Sequence, residues 1–389
     1  METFTVYGRH DERTLGQMAR CMAAGSAVAG VLCADGHLGY AHPIGGVVGY
    51  ADHISISGVG FDIACGNLAI RLDTPYAAIR ERTGVILQDI AAAVSFGIGR
   101  SNAEPVDHAL FDSGLWAAAD VAELKPMARN QLGTVGSGNH YVDLFEDEEG
   151  LVWIGLHFGS RGLGHRITKK YLELAGARDG MEVEPALLEA ASDMARGYLA
   201  GIELGGLYAH AGREWVVERV RRIIGGAETF RVHNHHNFAW RERHGDTDMW
   251  VVRKGATPAF PGQYGFVGGS MADDAVILRG VDGALSAASL YSTVHGAGRV
   301  MSRNEARGKV NRKTGAKISE PRVDRSQWQA MLRDRGVTLI GADLDEAPQA
   351  YRRLPDVLAA HAGTVEIVHR LRPFGVIMAG ADEFDPYKD

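Results

Sequence analysis

Residues 292–303 read STVHGAGRVMSR: one histidine, His295, followed by Gly296, Ala297 and Gly298, with Arg299 and Arg303 behind it. An imidazole nitrogen can attack phosphorus and carry a phosphoryl or nucleotidyl group covalently. Small neighbours let backbone N–H groups approach phosphate oxygens, and guanidinium groups offset their charge. Alone, the segment is a weak signal. It gains weight from other motifs in the same chain.

GVGFDIACGN (58–67) sets Asp62 and Cys65 three apart between glycines, a spacing that aims a carboxylate and a thiolate at one region. LGTVGSGNHYVDL (132–144) offers His140, LHFGSRGLGH (156–165) offers His157 and Arg161, and RVHNHHNFA (231–239) offers His233, His235 and His236. One Asp, one Cys and three His make a two-metal set, with the thiolate able to bridge. Imidazole and thiolate suit Zn, Fe or Mn, and the carboxylate leans toward a harder ion such as Mn. Neither paired CxxC nor HExxH occurs, so a zinc finger or zincin is not indicated. Taken singly, Cys65 is more often a small buried residue than a ligand, and His157 reads as a satisfied core histidine; their joint appearance in glycine-rich contexts brings the metal reading level.

The elements that must position these residues are short. Leu15, Met18 and Met22 are spaced for an early helix. PALLEAASDMARGYLAGI from Pro185 predicts a second helix with Pro in its first turn, and GREWVVERVRRII from Gly212 another. Residues 345–360 and the region from Ser326 are further helix candidates. Strands are predicted for FTVYG near the start, 151–158, 229–233, 248–254 and 364–371. Several polar motifs fall at or just after these strands, where loops carry chemistry. The mixture predicts α/β or α+β: a single domain over 1–389 of mixed sheets flanked by helices, with 381–389 as an extra tail.

Composition narrows the class. The 389 residues are 46% hydrophobic and 23% charged, ordinary for a soluble globular chain. The 50 glycines are about twice the usual share and gather around the polar motifs. Cys21, Cys33 and Cys65 are too few and too odd for a disulfide framework, which favours a reducing compartment. METFTVYGRHDERT lacks an apolar signal core, and no stretch approaches the ~18 apolar residues needed to cross a bilayer, so a cytoplasmic protein with no membrane partner is expected. A net charge of −7 argues against general nucleic-acid binding. Residues 299–322 are the exception, with Arg299, Arg303, Arg307, Lys309, Arg312, Lys313, Lys317 and Arg322 against Glu305 and Glu320. That stretch reads either as a surface for an RNA or DNA backbone or as a solvated loop.

In order along the chain, GVGFDIACGN, GTVGSGNHYVDL, LHFGSRGLGHR, HHNFA, VVRKGATPAFPGQYGFVGGSM and STVHGAGRVMSR resemble the signature series of the RtcB-type RNA-splicing ligases. CADGHLGYAHPIGGVVGY (33–50) resembles that family's early PDxHxG…PIGGV segment. The likeness runs from about residue 30 to about 380. It implies a compact α/β fold and the joining of an RNA end bearing a 2′,3′-cyclic phosphate or 3′-phosphate to a 5′-hydroxyl, using GTP and two Mn²⁺. It makes His295 the guanylylated residue. It assigns the metals to Asp62, Cys65, His140, His157 and His236, choosing His236 over His235 as the histidine directly before Asn. Nucleotide contacts would fall on Asn139, His140, Asp143, His236, Asn237, Gly269, Ser270, Met271, His295, Gly296, Ala297 and Gly298, and phosphate or RNA contacts on Arg161, Lys254, Arg299 and Arg303.

The chain departs from the family around the base. NHFxE becomes NHYVD, so Asp143 replaces a glutamate; PGSM becomes GGSM at Gly268–Met271; a serine becomes Ala275; and the terminal Lys-Gly pair becomes Ala379–Gly380, followed by ADEFDPYKD. Either Lys388 folds back to replace that lysine, or nucleotide preference has changed. Three functions follow as expectations: an active, divergent ligase in RNA repair or tRNA processing; a metal-dependent phosphodiesterase or phosphatase that processes RNA ends without sealing; and an RNA-binding protein without catalysis.

Overall fold

A computed structural model describes residues 4–310 and 317–380. The architecture is α+β. A five-stranded sheet has the order Thr5–Val6, Ala27–His37, Ile44–Tyr50, Thr247–Lys254, Asn237–His244. A larger sheet has the order Tyr264–Val267, Ala275–Gly280, Val365–Gly380, Tyr141–Glu146, Leu151–Phe158, Gly66–Pro75, Glu228–His235, with Thr338–Ala342 alongside Val365–Gly380. Val31, Cys33, Val47 and Val251 of the first sheet share one apolar core with Val267, Val276 and Leu278 of the second. Among the described residues, no helix is long and apolar enough to cross a membrane.

Register in the larger sheet positions the chemistry. Gly66 pairs with Phe158 on one side and His235 on the other, and Tyr141 pairs with His157. Cys65, His140, His157 and His236 therefore fall at the same end of four neighbouring strands, each within one residue of a strand terminus. Gly66 is required there: a Cβ would run into the carbonyl oxygen of Asn234. His295 arrives differently, directly after the short strand Ser292–Val294, which pairs with Ala256–Pro258.

The sequence-based elements hold in part. The early helix is Glu12–Ala23, capped by the Asp11 side chain, and the region from Ser326 forms Arg325–Arg335. The strands predicted at 151–158, 229–233 and 248–254 form within one or two residues, while the one at 364–371 extends to Gly380. Two helix predictions need correction. Residues 187–189 are a strand paired with His53–Ser55, and what was read as two helices is one, Asp193–Ile224. Ser192 starts it by accepting the Ala195 N–H. Its glycines are contact points: a Cβ on Gly205 would stand 2.8 Å from the Ile63 side chain, so glycine lets the helix press on the turn carrying Asp62 and Cys65. Residues 345–360 form not one helix but two single turns, Leu344–Glu346 and Pro348–Ala350, then Leu354–Ala359. Pro348, which lacks an N–H to donate, forces that break.

Candidate active site

Sulfur, nitrogen and oxygen ligands converge at the strand ends. Cys65 Sγ lies 3.7 Å from His140 Nε2 and 3.6 Å from His157 Nε2, and His140 Nε2 lies 3.0 Å from Asp62 Oδ2. The far nitrogens are anchored. His140 Nδ1 is 3.0 Å from the Val135 carbonyl, and His157 Nδ1 is 2.6 Å from Asn67 Oδ1. Nδ1–H must donate to the Val135 oxygen, which leaves the His140 Nε2 lone pair facing a carboxylate and a sulfur; the Asn67 contact does the same for His157. Three such atoms at these distances need a proton or a metal ion among them. Anchoring of the outer nitrogen is also how metal-ligating imidazoles are held. His236, 2% exposed, stacks on His157 with ring centroids 5.1 Å apart, and its buried Nδ1 has no hydrogen-bond partner. These donors suit a divalent metal.

Burial dominates the electrostatics of the set. Burial and the adjacent Asp62 push the Cys65 thiol well up. Burial, with His140 next, keeps His157 neutral, and burial with His295 does the same for His236. Burial alone would raise Asp62, but with a proton on the facing His140 nitrogen, the alternative to a metal ion there, the carboxyl is held at about 2.

His295 lies beside this cluster, its ring centroid 5.0 Å from that of His236. Its Nδ1 is 2.6 Å from Asp35 Oδ2, and its backbone N–H donates to the same oxygen at 2.9 Å. Asp35 is wholly buried. Burial works to raise its carboxyl, but the contacts with His295 prevail and hold it below the usual range. An Nδ1–H bound to a carboxylate leaves the lone pair on Nε2, the tautomer a nucleophile needs.

A cleft of about 570 Å³ opens from this point, lined by Asn139, Asp143, His157, Lys254, Gly268–Met271, His295–Gly298, Arg299 and Arg303. That volume suits a nucleotide-sized ligand. Asp62, Cys65, His140 and His236 lie outside its lining, and so do Asn237 and Arg161. The Asn237 amide is engaged by the Asp62 carbonyl at 3.2 Å and the Gly255 N–H at 2.7 Å. Arg161, at φ 55°, donates to Thr134 and to the Gly97 carbonyl.

The family model described as tRNA-splicing ligase RtcB matches residues 17–379. The chain belongs to the RtcB family. It is 30% identical to the RNA-splicing ligase RtcB of Escherichia coli strain K12, over 87% of each chain. Against the tRNA-splicing ligase RtcB of Archaeoglobus fulgidus it is 30% identical over 90% of this chain and 88% of the relative. The RtcB of Mycobacterium tuberculosis is 29% identical over 88% and 95%.

Within this RtcB fold the basic residues are already engaged. Lys254 Nζ donates to the carbonyls of Tyr40 (2.8 Å) and Ser57 (3.0 Å), and burial pulls its ammonium down to about 8. Arg299 donates to the Tyr351 hydroxyl and the Asp345 carbonyl, and Arg303 pairs with Glu346 and Asp345. Asp35, Asn67, Glu346 and Tyr351 are the residues that sequence reasoning missed. For Asp35 and Asn67 a signal existed, since they stand inside the quoted segments CADGHLGY and GFDIACGN. Glu346 and Tyr351 carried none. The basic stretch splits: Arg299 and Arg303 point inward and are mostly covered, Lys317 and Arg322 are exposed and paired with Glu320 and Glu305, and Arg312 and Lys313 lie outside the described residues.

The altered base pocket also resolves into parts. Asp143 lines the cleft with Oδ1 lacking a partner, and burial pushes its carboxyl well up. Ala275 does not reach the cleft; it is wholly buried in a core with Phe145, Phe266 and Leu371. Val376 and Met378 line the cleft where Ala379 does not, and Lys388 lies outside the described residues. Replacing Asp143 with Ala is expected to weaken nucleotide binding and blur base preference by roughly tenfold, the worth of one lost buried hydrogen bond, with metal binding unchanged. Competition titrations among nucleotides would measure it; an unaltered preference would remove Asp143 from base recognition.

A second cluster, His210, Glu214 and His233, also brings ligand atoms together. Here Arg213 Nε donates to His233 Nε2 at 2.8 Å, so the His233 proton sits on Nδ1, facing Glu214 Oε1 at 3.0 Å. Arg231 pairs with the same Glu214. The tautomer and the added positive charge make this a hydrogen-bond network, not a metal site.

Proposed function

We propose that the chain is an RNA ligase that joins 2′,3′-cyclic-phosphate or 3′-phosphate ends to 5′-hydroxyl ends through guanylylated His295, in RNA repair or tRNA splicing. The Asp35–His295 pair carries the reading: a buried carboxylate holds one imidazole nitrogen 2.6 Å away and frees the other at the head of a nucleotide-sized cleft. His295 Nε2 attacks the α-phosphorus of GTP; a P–N bond forms, the bond to pyrophosphate breaks, and pyrophosphate departs. GMP then passes to the RNA 3′-phosphate, and the 5′-hydroxyl displaces it as the ends are sealed. Cyclic ends are first opened by water. Two Mn²⁺ ions, held by Asp62, Cys65, His140, His157 and His236, would supply charge neutralisation at the phosphates. Asn139, Asp143, Gly269, Ser270, Met271 and the backbone of Gly296–Gly298 would hold the nucleotide. Lys254, Arg299 and Arg303, from the cleft wall, and Arg161, from behind it, would meet phosphate and RNA. Three buried free thiols favour a reducing, cytoplasmic setting.

The altered pocket favours one variant of this reading, a ligase with changed nucleotide preference, because Asp143 leaves a shortened carboxyl at the cleft, with one oxygen lacking a partner. Incubation with each α-radiolabelled nucleoside triphosphate and Mn²⁺ tests both. Label on His295, strongest with GTP, is the expected result. Stronger labelling by another triphosphate selects the variant. Absence of label with all of them, with cyclic ends still opened, would replace the ligase by an end-processing phosphodiesterase.

A further inference from the structure

Arg213 stands in the middle of the long helix Asp193–Ile224 and is 0% exposed. Its guanidinium makes four contacts. Nη1 donates to the carbonyls of Ala64 (3.1 Å) and Phe158 (2.5 Å); Nε donates to His233 Nε2 (2.8 Å); Nη2 lies 2.9 Å from His235 Nδ1. Three of those partners are chain neighbours of candidate metal ligands: Ala64 precedes Cys65, Phe158 follows His157, and His235 precedes His236. The three segments belong to different parts of the chain, separated by about ninety and then about eighty residues, and this one side chain reaches all three, adding to the sheet register and to the Asn67–His157 hydrogen bond.

The clamp also separates the two adjacent histidines. Successive strand side chains point to opposite faces. His233 and His235 share the face turned to the helix and take up the guanidinium, leaving His236 on the other face with His157 and His295. Burial draws the guanidinium down to about 10, which leaves it charged at neutral pH.

We propose that Arg213 is the positioning residue of the metal centre, fixing the Cys65, His157 and His236 segments in mutual register from behind. It touches neither substrate nor reacting atoms. This rests on the metal-dependent reading given above, and the test separates the two. Five N–H groups in a rigid plane reach acceptors on several sides, whereas a lysine offers one nitrogen. Arg213→Lys keeps the charge and loses the fork. Mn²⁺ affinity, read from the free-ion electron paramagnetic resonance signal, is expected to weaken by about tenfold or more, the usual cost of removing a group that orients ligands. His295 labelling is expected to return to within a few-fold of wild type when Mn²⁺ is raised, so the apparent KM for metal moves while the limiting rate does not. Should Arg213→Lys fail to fold, His235→Ala deletes one contact, keeps the guanidinium, and is expected to weaken Mn²⁺ about threefold. Wild-type Mn²⁺ affinity in a folded Arg213→Lys, or in His235→Ala where only that variant folds, overturns the proposal. Failure of the wild-type chain itself to bind Mn²⁺ overturns the metal-dependent reading and this proposal together.

Discussion

Replacing His295 with Ala is expected to abolish nucleotide labelling and to lower RNA sealing by about ten-thousand-fold or more, the order seen when a covalent nucleophile is removed. No neighbour substitutes for it. His236 is wedged behind the cleft against His157, outside the lining, and His157 has Nδ1 tied to Asn67. Mn²⁺ binding should persist, because His295 meets the cluster only through ring contact with His236. Since Asp35 would lose its imidazole partner, His295→Asn serves as a second variant that leaves a polar group beside the carboxylate. Single-turnover labelling and ligation assays read both. Covalent nucleotide recovered on either variant would move the nucleophile elsewhere. Cyclic-end opening retained without sealing would show that hydrolysis and ligation use different groups in one cleft.

The second large effect belongs to Asp35. Asp35→Asn is expected to cut the labelling rate by roughly a hundred- to ten-thousand-fold with little change in nucleotide affinity, the pattern expected when a carboxylate that sets a catalytic imidazole's tautomer becomes an amide. One carboxylate oxygen accepts both from His295 Nδ1 and from the His295 backbone N–H. An amide oxygen can occupy that place, but the negative charge that steadies the imidazole as its other nitrogen gives up a lone pair is gone. Because Asp35 is wholly buried, the neutral variant is expected to fold. The decisive measurement is rate against affinity: a loss confined to nucleotide binding would make Asp35 a pocket residue and not the partner of the nucleophile.

Legibility in the sequence followed chemical type and local spacing. His295, Cys65, His140 and His157 stood out because each is a reactive or ligating type next to glycines. The strands Leu151–Phe158 and Thr247–Lys254 were legible because β-rich runs form where they are written. The long helix was read as two, because the use of its glycines lies in contacts with side chains of other segments, such as Ile63 and Phe158, which local spacing does not show. Asp35 was quoted and passed over because its partner lies 260 residues away. Arg299 and Arg303 read as phosphate ligands by type, while Glu346 and Tyr351, which engage them, come from a stretch whose spacing suggested a plain helix.

The sequence by itself determined the set of reactive groups, the family, and which adjacent histidine precedes Asn. Those are properties of residue identity and short-range order. The tertiary structure alone decided that four strands bring Cys65, His140, His157 and His236 to one end, that Asp35 governs His295, and that Arg213 holds the centre from behind. Each of these is a pairing across tens to hundreds of residues, set by strand register and burial, which no local pattern encodes.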